Sequence, residues 1–268
     1  MTQNRGEDSL SGIRVGAVSY LNAVPLVWGM LHGPQRRQVD LTFSLPSVCA
    51  EELEEGKIDI GLAPVAEIVR QGLEIVSGVG IACRGDVRSI LLFSRVPWRE
   101  VRTLAADAGS RTSVHLARVI LRERHGAEPR VTSRKPELHA MLETADAALM
   151  IGDPALRIDP ETSPFTCLDL GAEWLALTGL PMVFAAWAGK PGTASDALQQ
   201  ITAESYIFGE DRIDEIVEAE YRERGIERDL ASRYLRRHIR YEIGAEERQG
   251  IKAFVELAGL ERAAVAST

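Results

Sequence analysis

The sequence predicts an α/β protein of two lobes with a cleft between them, and three observations lead to this prediction. Strand-like and helix-like segments alternate along the chain, which is typical of mixed, mostly parallel sheets. The alternation breaks at Pro97-Trp98 and restarts at Leu104. The length of 268 residues is also near twice the common domain size.

Strand–helix units repeat three times in the first part of the chain. Their strands are predicted at residues 13–18, 39–45 and 58–62, where apolar residues cluster in short runs. The helix after the first strand has Asn22 as its predicted N-cap and Gly33 as its stop. Pro46 and Pro64 lie at the predicted starts of the next two helices, where proline is well tolerated.

The remaining chain is predicted to form the second lobe and then return to the first. Strands are expected at residues 75–83, 89–93, 104–106, 130–132, 146–151 and 182–188, and helices at 113–124 and 136–143. Charged amphipathic helices are expected at 195–208, 212–224, 229–238 and 246–257. These segments predict lobe I at 13–94 plus 189–268 and lobe II at 95–188. The C-terminal helices either cover a lobe or pair two chains as a homodimer.

Charge and hydropathy argue against two classes of partner. The net charge of −8 opposes binding to a polyphosphate, so we expect no nucleic-acid partner. The longest apolar runs, such as residues 182–188, are far shorter than the roughly 20 residues of a membrane span. The polar segment 1–12 lacks the pattern of a secretory signal. We therefore expect a cytoplasmic protein with no membrane partner.

Familiar catalytic and metal-binding motifs are not found in the sequence. It has no complete dinucleotide-binding glycine pattern, no phosphate-binding loop and no nucleophile elbow. Its five His lack metal-ligand spacing, and Cys49, Cys83 and Cys167 form no close pair. We therefore predict no metal site and expect the three cysteines to be buried free thiols.

Two polar elbows lie where predicted strands end and helices begin, which is where open α/β sheets bind ligands. The first is Ser19-Tyr20-Leu21-Asn22, in which Asn22 is either a helix cap alone or a cap that also faces a ligand. The second contains Ser110, Arg111, Thr112 and Ser113 at the start of a long helix. Free N–H groups at a helix N-terminus suit a carboxylate or phosphate, and a capped surface helix is an equal alternative.

Three further polar positions carry weaker signals. Ser89 begins the predicted strand 89–93, and Asp153-Pro154 follows the strand 146–151. Gly61 lies within a predicted strand and would let a ligand approach the backbone. Each of these residues also has an ordinary structural interpretation. From the residues alone, the prediction is a two-lobed α/β protein that binds a small anion in its cleft.

A set of segments that occur in a fixed order is more specific. They are Ser19-Tyr20-Leu21-Asn22, Asp59-Ile60-Gly61-Leu62, Arg88-Ser89-Ile90-Leu91-Leu92-Phe93-Ser94, Ser110-Arg111-Thr112-Ser113, Ile151-Gly152-Asp153-Pro154-Ala155, Asp169-Leu170-Gly171 and Leu177-Thr178-Gly179-Leu180-Pro181. Over residues 13–257 the chain resembles the chorismate dehydratase family of the futalosine route to menaquinone. This resemblance implies a type II periplasmic-binding-protein-like fold in a cytoplasmic enzyme. The dihydroxynaphthoate synthase branch of the same fold has a different first elbow, so the elbow 19–22 favours the dehydratase.

The resemblance also implies a reaction and its site residues. Chorismate would lose water to give 3-[(1-carboxyvinyl)oxy]benzoate, and no cofactor would be needed because the new aromatic ring supplies the driving force. The implied catalytic residues are Asn22 and Ser89. The implied substrate-binding residues are Ser19, Tyr20, Gly61, Ser110, Arg111, Thr112, Ser113 and Asp153. The identity of the base is left open: it is either the enolpyruvyl carboxylate of the substrate or Asp153.

Two classes of non-enzyme share the implied fold. A solute-binding protein would need an export signal, which the segment 1–12 does not provide. A ligand-sensing module of a transcription regulator would need a helix-turn-helix before the first strand, and 12 residues are too few for one.

Overall fold

Two β-sheets form the centres of two lobes in the computed structural model, which describes residues 12–260. The first sheet contains β1 (Arg14–Val18), β2 (Asp40–Ser44), β3 (Ile60–Pro64), β4 (Glu74–Cys83), β10 (Met182–Gly189) and β11 (Arg240–Glu242). The second contains β5 (Ile90–Ser94), β6 (Thr103–Asp107), β7 (Arg130–Arg134), β8 (Ala147–Ile151) and β9 (Thr166–Asp169). The strand order is β11-β4-β10-β3-β1-β2 in the first sheet and β7-β6-β8-β5-β9 in the second. The two-lobed α/β architecture is thus confirmed, whereas residues 1–11 of the polar N-terminal segment lie outside the described residues.

Helices pack around both sheets. They are α1 (Val24–His32), α2 (Pro46–Glu54), α3 (Val65–Gln71), α4 (Thr112–His125), α5 (Leu138–Thr144), α6 (Gly152–Leu156), α7 (Leu170–Thr178), α8 (Asp196–Glu210), α9 (Ile213–Arg224), α10 (Arg228–Arg233) and α11 (Ala245–Ala258). Short 3₁₀ turns occur at Leu21–Ala23 and Trp98–Glu100, and a π-helical turn occurs at Tyr234–His238.

The sheets are mixed and mostly parallel, as expected, because β1–β4 share one direction in the first sheet and β6–β9 share one in the second. Among the described strands, β1 pairs in parallel with β2 and β3, and β6 does so with β7 and β8. The five other pairs are antiparallel. The physical reason is the double crossing of the chain: β10 returns from the second lobe and runs away from the cleft, opposite to β3 and β4. In the same way, β5 enters the second sheet opposite to β8 and β9.

The lobe boundaries predicted at 94/95 and 188/189 do not match the membership of the sheets. β5 pairs with β8 and β9 in the second sheet, and β10 pairs with β3 and β4 in the first. Apolar composition indicates that both strands are buried, but it does not indicate which sheet they join. We propose instead that lobe I comprises residues 12–83 and 182–260 and that lobe II comprises 90–169.

The charged C-terminal helices cover the lobe of the first sheet. Helix α8 packs against α1 and β4, and α11 packs against β10. The close approach of α1 to α8 requires Gly29, because a Cβ there would lie 2.5 Å from the Cα of Ser205. The prediction that these helices cover a lobe is confirmed, and the homodimer stays a prediction.

Most of the cysteines and tryptophans lie in the core. Cys49 and Cys83 are buried free thiols, and Cys167 is half-buried. The indole rings of Trp174 and Trp187 are fully buried. None of the helices between residues 12 and 260 is both long and apolar enough to cross a membrane.

Candidate active site

A cavity lies between the lobes, where β1, β3 and β8 end and α4 begins. It is lined by Val18, Tyr20, Asn22, Pro46, Pro64, Ile81, Val87, Ser89, Ile90, Gly109, Ser110, Arg111, Thr112, Ser113, Ile151, Gly152, Phe184 and Ala185. Both polar elbows and Ser89 therefore meet at one place. The position agrees with the rule that open α/β sheets bind ligands at the carboxyl ends of their strands.

Asn22 faces this cavity and does not cap a helix. It lies in the 3₁₀ turn Leu21–Ala23, and the N-cap of α1 is Ala23, with no side-chain hydrogen bond at the cap. The Oδ1 atom of Asn22 is buried and has no hydrogen-bond partner in the protein. Buried polar atoms normally have partners. The predicted cap is thus wrong, and the free oxygen is available to a ligand.

Ser89 is held in place by the backbone of the crossing between the lobes. Arg88 just before it has a φ of 63°, a conformation that a non-glycine residue adopts only under constraint. The carboxylate of Asp169 accepts hydrogen bonds from the N–H groups of Val87 (2.9 Å) and Arg88 (2.7 Å) and thereby holds the turn. Ser89 is 1% exposed and forms part of the cavity wall.

The N-terminus of α4 brings hydrogen-bond donors from the second lobe. Its first turn has no side-chain cap, so its N–H groups remain free to bind an anion. Ser110 and Ser113 are buried at this point, and the Oγ atom of Ser110 has no partner. Thr112 is already engaged, because its hydroxyl accepts from the N–H of Ala66 (3.2 Å) and donates to Phe184 O (3.1 Å).

Arg111 reaches across the cleft. Its guanidinium lies 3.1 Å from a carboxylate oxygen of Glu51 in α2 and 3.6 Å from one of Glu67 in α3. These ion pairs join the lobes beside the cavity. Arg111 therefore connects the two lobes and places a positive charge next to the cavity.

Tyr20 also touches the opposite lobe. Its ring packs on Gly152, where a Cβ would lie 2.7 Å from the ring and where φ is 61°. Both features require glycine at this position. Burial, with the charges of Asp107 and Asp153, raises the pKa of Tyr20, so its hydroxyl stays protonated.

Two of the residues implied by the resemblance, Ser19 and Gly61, do not line the cavity. Ser19 is exposed, and its hydroxyl donates to Ser44 O at 3.3 Å. Gly61 faces helix α2, because a Cβ there would lie 2.8 Å from the Sγ of Cys49. Its small size serves packing of a helix on a strand, so the predicted binding roles are not supported at either position.

Asp153 is buried next to the cavity but has no free oxygen. Its Oδ1 accepts from the N–H of Leu21 (2.9 Å), and its Oδ2 accepts from Nη1 of Arg224 (2.5 Å). Arg224 belongs to α9 of the first lobe and also donates to Ser19 O (2.7 Å). Asp153 thus ties the first elbow and α9 to the second lobe. Asp153 is not among the residues that line the cavity, and its place in the cleft wall stays a prediction.

Several residues of the site were missed by the sequence analysis. Apolar side chains line one part of the cavity: Val18, Ile81, Ile90, Ile151 and Phe184. Phe184 projects there at a register shift in the pairing of β10 with β4, and such bulges redirect side chains. Tyr234, whose hydroxyl contacts Ser89, lies 145 residues farther along the chain. All five apolar residues belong to predicted strands, a pattern that indicates burial but not a place in the cavity.

The charged and polar groups that line the cavity suit an anion. Arg111 is the one charged side chain among the lining residues between positions 12 and 260, and the other polar groups are neutral donors or acceptors. Asp107 is buried behind Gly109, whose N–H it accepts at 2.9 Å, and burial raises the pKa of this carboxyl. The site can therefore hold a small carboxylate between neutral hydrogen-bond donors of both lobes.

Comparisons with known proteins agree with this description. A family model described as menaquinone biosynthesis matches residues 13–259. The chorismate dehydratase of Thermus thermophilus is 29% identical over 264 residues, covering 92% of this chain and 95% of that protein.

Solved structures show the same fold. A protein from Archaeoglobus fulgidus superposes with a TM-score of 0.77 at 19% identity, covering 96% of this chain and 99% of that one. The periplasmic aliphatic sulphonate binding protein of Escherichia coli superposes with a TM-score of 0.64 at 15% identity, covering 94% and 88%. The periplasmic-binding-protein-like fold implied by the resemblance is thus confirmed.

Proposed function

Because the chain belongs to the menaquinone biosynthesis family, whose model covers residues 13–259, we propose that it is a chorismate dehydratase. The reaction breaks the C–H bond at the ring carbon that bears the enolpyruvyl ether and the C–O bond of the neighbouring ring hydroxyl. The hydrogen leaves as a proton, the hydroxyl leaves as water, and the ring becomes aromatic. No oxidant or second substrate is needed for this balance. As part of the proposal, the enzyme acts in the cytoplasm, as the resemblance implies.

The donor set of the cavity is the observation that carries this proposal. Chorismate has two carboxylates, and the cavity offers neutral donors from both lobes together with the charge of Arg111. When the C–H bond breaks, negative charge spreads through the diene to the ring carboxylate. Fixed donors aimed at that carboxylate stabilise the transition state more than the ground state.

The residues that line the cavity suggest a division of roles. We assign the ring carboxylate to the N-terminus of α4 with Ser110 and Ser113, because the helix has no side-chain cap and the Oγ atom of Ser110 has no partner in the protein. Asn22 and Ser89 line the cavity from other elements of the fold and would hold the reacting ring carbons and the leaving hydroxyl. The apolar wall, which includes Ile81 and Phe184, suits the ring itself.

The proton acceptor in this proposal is the substrate. Among the described residues that line the cavity, none is Asp, Glu, His or Lys. Asp153 has both oxygens engaged by Leu21 and Arg224. The enolpyruvyl carboxylate of chorismate lies next to the hydrogen that is lost, so the protein would mainly fix its geometry.

Incubation of the purified protein with chorismate tests the proposal. We expect the ultraviolet absorption of the cyclohexadiene to disappear and that of a benzoate to appear. Quenching of tryptophan fluorescence without any spectral change of the ligand would indicate a solute-binding protein instead. No binding and no conversion by the folded protein would overturn the assignment to chorismate.

The substitution Arg111→Met should raise KM for chorismate about tenfold, with a smaller effect on kcat, because a charge-assisted contact of about 1.4 kcal/mol is lost on binding. Steady-state kinetics measures this effect. Arg118→Met is the matched control, since Arg118 is exposed on the same helix and outside the cavity. Equal changes of KM in both variants would show that only net charge matters.

A further inference from the structure

Tyr234 lies directly behind the two residues to which the proposed reaction assigns catalysis. Its side chain is 1% exposed, and its hydroxyl donates a hydrogen bond to the Oγ atom of Ser89 at 2.8 Å. The side chain of Asn22 lies near the same hydroxyl and acts to lower its pKa. Asn22 follows β1 and Ser89 precedes β5, so this hydroxyl lies where the two lobes of the site meet.

The hydroxyl of Tyr234 is the donor and the Oγ atom of Ser89 is the acceptor in this hydrogen bond. A hydroxyl has one hydrogen to donate and two lone pairs to accept with. Since Tyr234 donates to Ser89, the hydrogen of Ser89 itself is left to point elsewhere, and Ser89 lines the cavity. The Oδ1 atom of Asn22 is buried without a partner. The hydroxyl of Ser89 can therefore donate a hydrogen bond to a ligand, and the Oδ1 atom of Asn22 can accept one.

The backbone around Tyr234 is also unusual. Tyr234–His238 forms a π-helical turn, closed by a hydrogen bond from the N–H of Ile239 to Tyr234 O at 3.2 Å. Such turns are rare and occur frequently at functional sites. Burial raises the pKa of Tyr234, which keeps the hydroxyl protonated and able to donate.

We propose that Tyr234 is a positioning residue whose hydroxyl fixes the side-chain orientation of Ser89 for the reaction. This role rests on the proposed function. Tyr234 does not line the cavity and acts on the substrate only through Ser89, which does.

Tyr234→Phe tests the role because it removes the hydroxyl and keeps the ring. We expect kcat for chorismate to fall about tenfold or more while KM changes little, since one hydrogen bond that orders the site is lost. Tyr241→Phe is the matched control: Tyr241 is also buried in the C-terminal segment, but its hydroxyl has no partner. This control should keep the kcat of the unaltered protein.

The double variant Ser89→Ala/Tyr234→Phe separates positioning from general stability. If Tyr234 acts through Ser89, the double variant should be about as slow as Ser89→Ala alone, because effects of coupled residues do not add. Full additivity, or an equal loss of kcat in Tyr241→Phe, would overturn the role.

Failure of this role can be told apart from failure of the proposed function. An impaired Ser89→Ala variant beside a fully active Tyr234→Phe variant would overturn the positioning role only. An unaltered protein that does not convert chorismate would overturn the proposed function and this role with it.

Discussion

The Asn22→Ala variant should lose at least about 100-fold in kcat for chorismate, because the proposal assigns its side-chain amide to the reacting part of the substrate and the loss of one such group commonly has this effect. Its folding should be little affected, because the side chain caps no helix and its Oδ1 has no partner in the protein. Steady-state kinetics and thermal unfolding by circular dichroism measure the two quantities separately.

Ser44→Ala provides the control for Asn22→Ala. Ser44 ends the neighbouring strand β2, and its hydroxyl hydrogen-bonds Glu52 outside the cavity. This variant should keep the kcat of the unaltered protein. A fully active Asn22→Ala variant would remove Asn22 from the catalytic role.

The Asp153→Ala variant should lower the free energy of unfolding by about 3 kcal/mol or more. The reason is that the loss of one member of a buried ion pair leaves the charge of the other member buried and unpaired. The side chains of Asp153 and Arg224 are only 9% and 18% exposed. The variant also leaves the N–H of Leu21 without its acceptor. Urea unfolding followed by circular dichroism measures the loss.

Asp229→Ala is the surface control for this loss. The Asp229 side chain is 83% exposed and lies 3.7 Å from Arg228. Its removal should change the free energy of unfolding by less than about 0.5 kcal/mol. If Asp153→Asn instead kept its stability and its binding of chorismate but lost all turnover, Asp153 would be the base and substrate assistance would be wrong.

The parts of the site that could be predicted from sequence follow directly after or before strands. The small polar residues of the site lie at strand ends or helix starts: Asn22, Ser89, Ser110, Thr112 and Ser113. Parallel strands that end at the same edge of a sheet bring such residues together, whatever the structure of the connecting segments. The sequence pattern therefore indicated where the cavity would lie.

Other features depended on contacts between distant segments. The acid of the Asp153-Pro154 motif looks like a binding group in sequence, but the structure pairs it with Arg224 from a different lobe. Tyr234 lies in an amphipathic helix pattern that predicts only a core position. Local periodicity contains no information on such pairings, since they are set by how the lobes pack.

The predicted lobe boundaries differ from the membership of the two sheets for a related reason. Strands β5 and β10 are entirely buried apolar runs. Either sheet could accept such a strand, and the choice depends on where the chain crosses. Asp169 is the N-cap of α7, before the chain returns to the first lobe, and its carboxylate also accepts a hydrogen bond from the N–H of Arg88 in the first crossing. One side chain near the second crossing therefore stabilises the first.

The central claim, that this chain removes water from chorismate without a cofactor, is tested most directly by proton NMR. Dialysed, chelator-treated protein would be incubated with chorismate and the spectrum followed with time. We expect the diene signals of the ring to give way to aromatic signals, while the enolpyruvyl methylene signals persist in the product. A diene that remains unchanged with folded protein, or release of pyruvate in place of an intact ether, would contradict the claim.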